Sequence, residues 1–252
     1  MCYNVKYLKD RARKVAKSRG LDFDENQFPL DYHHTSAFQH KDLPAVTDRE
    51  PNRIQPLRWG LIPFWVKDSA GAKTIENNTP NAMGETIFSK PAFRQAAKTN
   101  RCLIVVDGFY EYHHVSKTQK VPYYITSPDE FLIFAGLYQV WQNHESGETL
   151  NTCSIVTTQA NSIMTKIHNN PDVIKRTGSG RMPVILPNEI ANQWIEHDEF
   201  ENIEKQRVQD LIKPYPSDQL IYHTVSQLQG NNGTGNSPEA SKKTEYNIIG
   251  LP

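Results

Sequence analysis

The sequence predicts an α+β fold: a single compact domain in which a largely antiparallel sheet is flanked by helices. Three observations carry this. The strand-like runs cluster, with helices interspersed irregularly, which argues against a doubly wound parallel sheet. Turn signals between the runs, Ser127-Pro128-Asp129 and Glu145-Ser146-Gly147, favour hairpins. The 252 residues permit one large domain or two small ones, and neither an internal repeat nor a convincing linker divides them.

The elements follow in order. Residues 4–19 are predicted as a helix, because Val5, Leu8, Ala12 and Val15 recur at helical spacing and Gly20 supplies a stop. The other faces of that helix carry Lys6, Lys9, Arg11, Arg13, Lys14, Lys17 and Arg19. Such a face is usually only solvated; the sharper alternative is a phosphate-facing surface. Residues 21–56 read as loop-rich, with Pro29, Pro44, Pro51 and Pro56. Strands are predicted over 57–62, 101–112, 121–126, 131–140, 152–158, 182–186 and 220–225, on β-branched and aromatic runs. Helices are predicted over about 91–99, 160–168, 188–197 and 201–213. Residues 227–244, rich in Gly, Asn and Ser, are expected to form a mobile loop. Tyr246 to Leu251 are expected to dock back onto the core.

Composition excludes several classes. Lys+Arg and Asp+Glu are both 28, so no global charge draws the chain to nucleic acid, and any such binding must be local. The hydrophobic fraction of 37% and mean hydropathy of −0.64 are polar but not those of a disordered chain. Three cysteines, Cys2, Cys102 and Cys153, with no CxxC spacing, imply free thiols in a reducing compartment. No apolar run is long enough to span a bilayer, and the N-terminal charges do not fit a signal peptide. The expectation is a soluble, cytoplasmic, monomeric protein, nucleoid-associated in a bacterium, without a cofactor.

Chemistry has five candidate carriers. The chain begins Met1-Cys2, so removal of Met1 would expose a cysteine with a free α-amine. Such a 1,2-aminothiol traps an aldehyde as a thiazolidine or acts as an N-terminal nucleophile. Asn81-Ala82-Met83-Gly84-Glu85-Thr86 alone reads as a polar loop. In Val105 to Tyr112, Glu111 follows an apolar strand between aromatics; burial there would raise its pKa toward general acid–base use, whereas outward alternation would only solvate it. His168 is a default proton shuttle with a reference pKa of ~6.5, although a lone histidine is more often structural. Trp59 to Trp65 brackets Pro63; exposed, these aromatics would stack on unpaired bases at ~1–3 kcal/mol each, and buried they would simply pack. The pairs His33-His34 and His113-His114 lack the partners of a metal site, and the loop 176–180 lacks the Gly-Lys-Ser/Thr of a P-loop.

Taken in order, Met1-Cys2, the WG.IP.W of Trp59 to Trp65, the NA..ET of Asn81 to Thr86, the DGFYEY of Asp107 to Tyr112 and the IH…RMPVIL of Ile167 to Leu186 resemble the SRAP family, the SOS-response-associated peptidase-like or abasic-site processing proteins. The likeness runs from residue 2 to about 226. It implies a strongly curved, barrel-like sheet with a groove for single-stranded DNA. It also implies a covalent crosslink from the N-terminal cysteine to an abasic site. The implied catalytic set is Cys2, Asn81, Glu111 and His168, and the candidate DNA contacts are Trp59, Pro63, Trp65 and Arg181. Autoproteolysis and weak lyase activity follow from the same cluster. Three features depart from the family pattern. Met1-Cys2-Tyr3-Asn4 stands for Met-Cys-Gly-Arg, and Met83 stands for an arginine. About ten extra residues lie between His168 and Arg181. Two lost phosphate contacts would weaken DNA binding and flatten its salt dependence; the basic helix and Arg181 are the candidates to replace them. The alternatives are an N-terminal-nucleophile amidohydrolase and a non-catalytic single-stranded DNA-binding module.

Overall fold

The computed structural model of the chain describes residues 2–248 and 250–252. In chain order its strands are β1 (Asn4–Tyr7), β2 (Asp22–Phe23), β3 (Tyr32–Ser36), β4 (Asp42–Thr47), β5 (Arg53–Trp59), β6 (Asn81–Met83), β7 (Arg101–Val106), β8 (Gly108–His114), β9 (Lys120–Thr126), β10 (Leu132–Gln142), β11 (Thr149–Gln159), β12 (Arg181–Pro183) and β13 (Ile221–Thr224). The α-helices are α1 (Lys9–Arg19), α2 (Ser69–Glu76), α3 (Arg94–Thr99), α4 (Ser162–Ile167), α5 (Pro171–Thr177) and α6 (Glu201–Leu211).

The strands β11, β10, β7, β4 and β5 pair in that order, and β5 returns to β11 in parallel through Arg58–Thr152 and Trp59–Cys153, which closes a barrel. β12 and β6 extend β11 on the outside, and β2 extends β5. A second, antiparallel sheet runs β13-β9-β8-β1-β3. The predicted α+β class with a curved, largely antiparallel sheet is therefore what the chain adopts.

Both faces of the barrel wall are covered, which explains the continuous apolar runs in the sequence. On β7, Cys102, Ile104 and Val106 face one cluster with Phe134 and Ile155, while Leu103 faces a second cluster with Ile133, Leu137 and Trp194. The first cluster also contains Val5, Phe109, Val121 and Ile125 from the second sheet, so barrel and sheet share one core. The run 101–112 is not one strand. It breaks at Asp107, whose carboxylate accepts the Leu8 N–H at 2.8 Å, and the chain crosses there from the barrel to the second sheet. Gly108 permits that crossing: a Cβ on it would lie 2.5 Å from the Ile125 carbonyl oxygen and 2.7 Å from the Tyr124 ring. Gly108→Ala is expected to cost about 1–3 kcal/mol by overpacking against backbone that cannot yield, measurable as a lowered denaturant midpoint.

Four expectations are corrected. Residues 4–7 form β1, not the start of a helix; pairing with β3 and β8 overrides an accidental helical spacing, and α1 begins at Lys9 and ends at Gly20 as predicted. The three arginines of α1 find partners, Arg11 with Glu130, Arg13 with Asp10 and Glu25, and Arg19 with Asn188. Residues 21–56 contain four strands, since Pro44 and Pro56 face each other across β4 and β5 where β4 has not yet reached its β7 partner. Residues 188–197 form only a 3₁₀ turn, Ala191–Trp194. Residues 227–244 pack against the second sheet rather than hanging free: Leu228 and Ala240 are buried, and Val225 bridges to Lys243. The tail docks as expected, with the Tyr246 hydroxyl donating to the Val225 carbonyl at 2.8 Å. Among the described residues no helix is long and apolar enough to cross a membrane.

Candidate functional site at Cys2

Cys2 lies just before β1 and is fully buried in the shared core, near Val5, Phe109, Ile155, Met164 and Ile167. Burial, and next the nearby charge of Glu111, push its thiol well above the ordinary cysteine range. Asn81 opens β6, which β11 holds in parallel register through Ile155. Its Nδ2 donates to the Cys2 carbonyl at 2.8 Å, so the amide grips the backbone of the cysteine itself. Its Oδ1 is buried and has no partner among the described residues.

Glu111 sits mid-strand on β8, opposite Tyr123 of β9, and is 8% exposed. One carboxylate oxygen accepts the Tyr112 N–H at 3.1 Å, and the other lies 3.6 Å from His168 Nδ1. His168 terminates α4, and its ring is 3% exposed. Nδ1 is 2.7 Å from the Arg181 carbonyl oxygen and 3.2 Å from the Arg181 N–H. One tautomer cannot serve both contacts. The shorter requires an Nδ1–H donor, which leaves Nε2 as the basic nitrogen. The chain thus brings together the four residues that the motifs single out, drawn from the start of β1, β6, β8 and the end of α4.

Glu111 and His168 form part of the floor of a cleft of about 420 Å³. A larger hollow of about 820 Å³ beside α6 holds none of the four, and its lining offers no such cluster of chemistry. Tyr3 and Phe38 line the cleft as a stacked pair, centroids 5.4 Å apart at 23°, and Phe38 is 57% exposed. The sequence gives no local sign of this pair, because its members come from different strands' ends.

The candidate DNA contacts fare differently. Trp59 is fully buried and donates its indole N–H to the Pro80 carbonyl at 3.0 Å, so core packing is its role. Pro63 is buried. Trp65 remains exposed beside Phe64, next to α2 and apart from the cleft lining. Arg181 is 1% exposed and bound in a two-pronged pair with Glu85 at 2.6 and 2.8 Å, with a further bond to the Thr157 carbonyl. It does not present its charge to the cleft. Asn4 accepts from His34 Nε2 at 2.9 Å; burial holds that imidazole down to about 4, hence neutral. Among the described residues no group of three or more His, Cys, Asp or Glu side chains is placed to hold a metal ion.

A closed barrel with an attached second sheet, and a buried near-terminal cysteine held beside an Asn, a Glu and a His, define the class. The chain belongs to the SOS response associated peptidase (SRAP) family, which it matches over residues 1–232. It is 38% identical over 199 residues to the abasic site processing protein YoqW of Bacillus subtilis, covering 78% of this chain and 80% of that one. It is 30% identical over 220 residues to the abasic site processing protein HMCES of Pongo abelii, covering 76% of this chain and 57% of that one. A crystal structure of a protein from Bacteroides thetaiotaomicron superposes with a TM-score of 0.83 at 30% identity, covering 97% of this chain and all of that one.

Proposed function

We propose that the chain processes abasic sites in single-stranded DNA, and that Cys2 traps the aldehyde of the site covalently once Met1 has been removed. The observation that carries this reading is the grip of Asn81 on the Cys2 carbonyl beside the Glu111–His168 pair at a cleft floor. Related proteins of this family are named for abasic-site processing.

The order of bond formation follows from the electrostatics. A buried thiol held protonated is a poor first nucleophile, whereas a freed α-amine with a reference pKa of ~7.7–8.0 is partly neutral near pH 7. The amine adds to C1′ of the ring-opened sugar, and loss of one water gives an imine. The thiol then adds across the C=N bond: sulfur bonds to carbon, the thiol proton passes through Glu111 to nitrogen, and a thiazolidine closes. Closure is intramolecular and gains the advantage of proximity. His168, once Nε2 has taken up a proton from water, is assigned to protonate the departing sugar oxygen, and Glu111 to shuttle protons to and from the amine and thiol. Asn81 fixes the cysteine by its carbonyl and offers its buried Oδ1 to the amine. The Tyr3–Phe38 stack provides an apolar surface for a neighbouring base. One chain supplies every group, so a monomer suffices. The raised thiol also weighs against a peptidase that begins with thiolate attack.

Incubation with a single-stranded oligonucleotide bearing one abasic site is expected to give a denaturation-resistant adduct, and Cys2→Ala to give none. An Ala variant that crosslinks as well as wild type would overturn the assignment.

A further inference from the structure

Glu111 lies at the floor of the cleft, and neither Asn4 nor Arg181 gives that cleft a cation. One cation, Lys120, lines it, and a second, Arg176, stands on α5 beside the lining residue Val173. Residues 169–180 carry α5 against the cleft. Val173 and Asn170 line it, and Asn169 pins the segment to β8 by donating to the His114 carbonyl at 3.0 Å and accepting its N–H at 2.7 Å. Arg176 lies three residues beyond Val173, on the same helix face, and is exposed. Burial pushes the Tyr3 hydroxyl up, and the Arg176 charge pulls it back. Lys120, at the start of β9, lines the cleft from the second sheet; burial lowers the His114 imidazole, and the Lys120 charge lowers it further. Among the described residues neither cation has a carboxylate within salt-bridge distance, unlike Arg11, Arg13, Arg58, Arg101, Arg181 and Arg207.

We infer that Arg176 and Lys120 are phosphate contacts that hold a nucleic-acid backbone across the cleft lined by Glu111 and His168. They belong to two separately anchored elements, α5 and β9, which suits an extended strand better than one isolated anion. The segment between His168 and Arg181 is thereby a binding element. The inference rests on the proposed DNA substrate, but it concerns grip and not covalent chemistry.

The test uses the full chain and an undamaged single-stranded oligothymidine, which offers no aldehyde. Affinity is measured by fluorescence anisotropy between 50 and 200 mM salt. Arg176→Ala and Lys120→Ala are each expected to reduce the slope of log affinity against log salt by ~0.7, and the double variant by ~1.4. Each lost contact shrinks the wild-type loss of affinity over that range by about 2.5-fold. Arg176→Lys is expected to keep the slope. Variant slopes equal to wild type, or no salt-dependent binding by wild type, would overturn the inference. Adduct formation on abasic DNA with unchanged slopes would sink this inference alone; changed slopes without any adduct would leave it standing and sink the covalent reading.

Discussion

Glu111→Gln is expected to slow adduct formation at saturating abasic DNA by about 10²–10⁴-fold, the usual contribution of a positioned proton-transfer group. The substitution keeps the acceptor for the Tyr112 N–H and the volume of the side chain, so stability should change little. What it removes is the carboxylate beside His168 and the thiol. Two proton transfers in the proposed sequence pass through this group, one from the amine and one from the thiol to the imine nitrogen. Loss of the carboxylate should therefore leave an imine that closes slowly and that borohydride can capture. His168→Asn should slow the earlier step, loss of the sugar oxygen, and should not build up that imine. Rapid-quench time courses with and without borohydride distinguish the two. Equal rates for wild type and Glu111→Gln would remove Glu111 from the mechanism.

Arg181→Ala is expected to lower stability by about 2–3 kcal/mol, below the ~3–5 of a fully buried pair, because Glu85 can relax into water. Burial would raise the Glu85 carboxyl, but its bonds to Arg181 outweigh this and hold it below the usual range. A depressed pKa contributes stability above the unfolded value and loses it as pH falls through the folded one. The advantage of wild type over Arg181→Ala should thus be present at neutral pH and fade below the ordinary glutamate pKa of ~4.3. Denaturation at pH 7 and pH 3 measures this. The salt slope of DNA binding should not move, in contrast to Arg176→Ala.

Much of the site was legible as ordered motifs. Cys2, Asn81, Glu111 and His168 could be nominated because each sits in a short segment with a recognisable neighbourhood. Which side chains face water was less legible. Trp59 and Arg181 look like surface ligands in one dimension. The barrel closure between β5 and β11 buries the first, and Glu85, far away in sequence, captures the second. β1 is hidden in the sequence for a related reason. Four residues cannot state their own period, and only β3 and β8 on either side fix Val5 and Tyr7 as inward-facing. The prolines of β4 and β5 read as loop formers because their mutual pairing is a tertiary fact. The Tyr3–Phe38 stack has no local signature at all.

The central claim is that Cys2 itself, through both its amine and its sulfur, is bonded to the sugar. Mass spectrometry of the purified adduct tests it directly, on protein from which Met1 has been removed. The account predicts an intact mass equal to protein plus abasic oligonucleotide minus one water, located by digestion on the Cys2 peptide, resistant to borohydride and to thiol alkylation at Cys2. An adduct on a lysine peptide, or one on Cys2 whose thiol still alkylates, would contradict it.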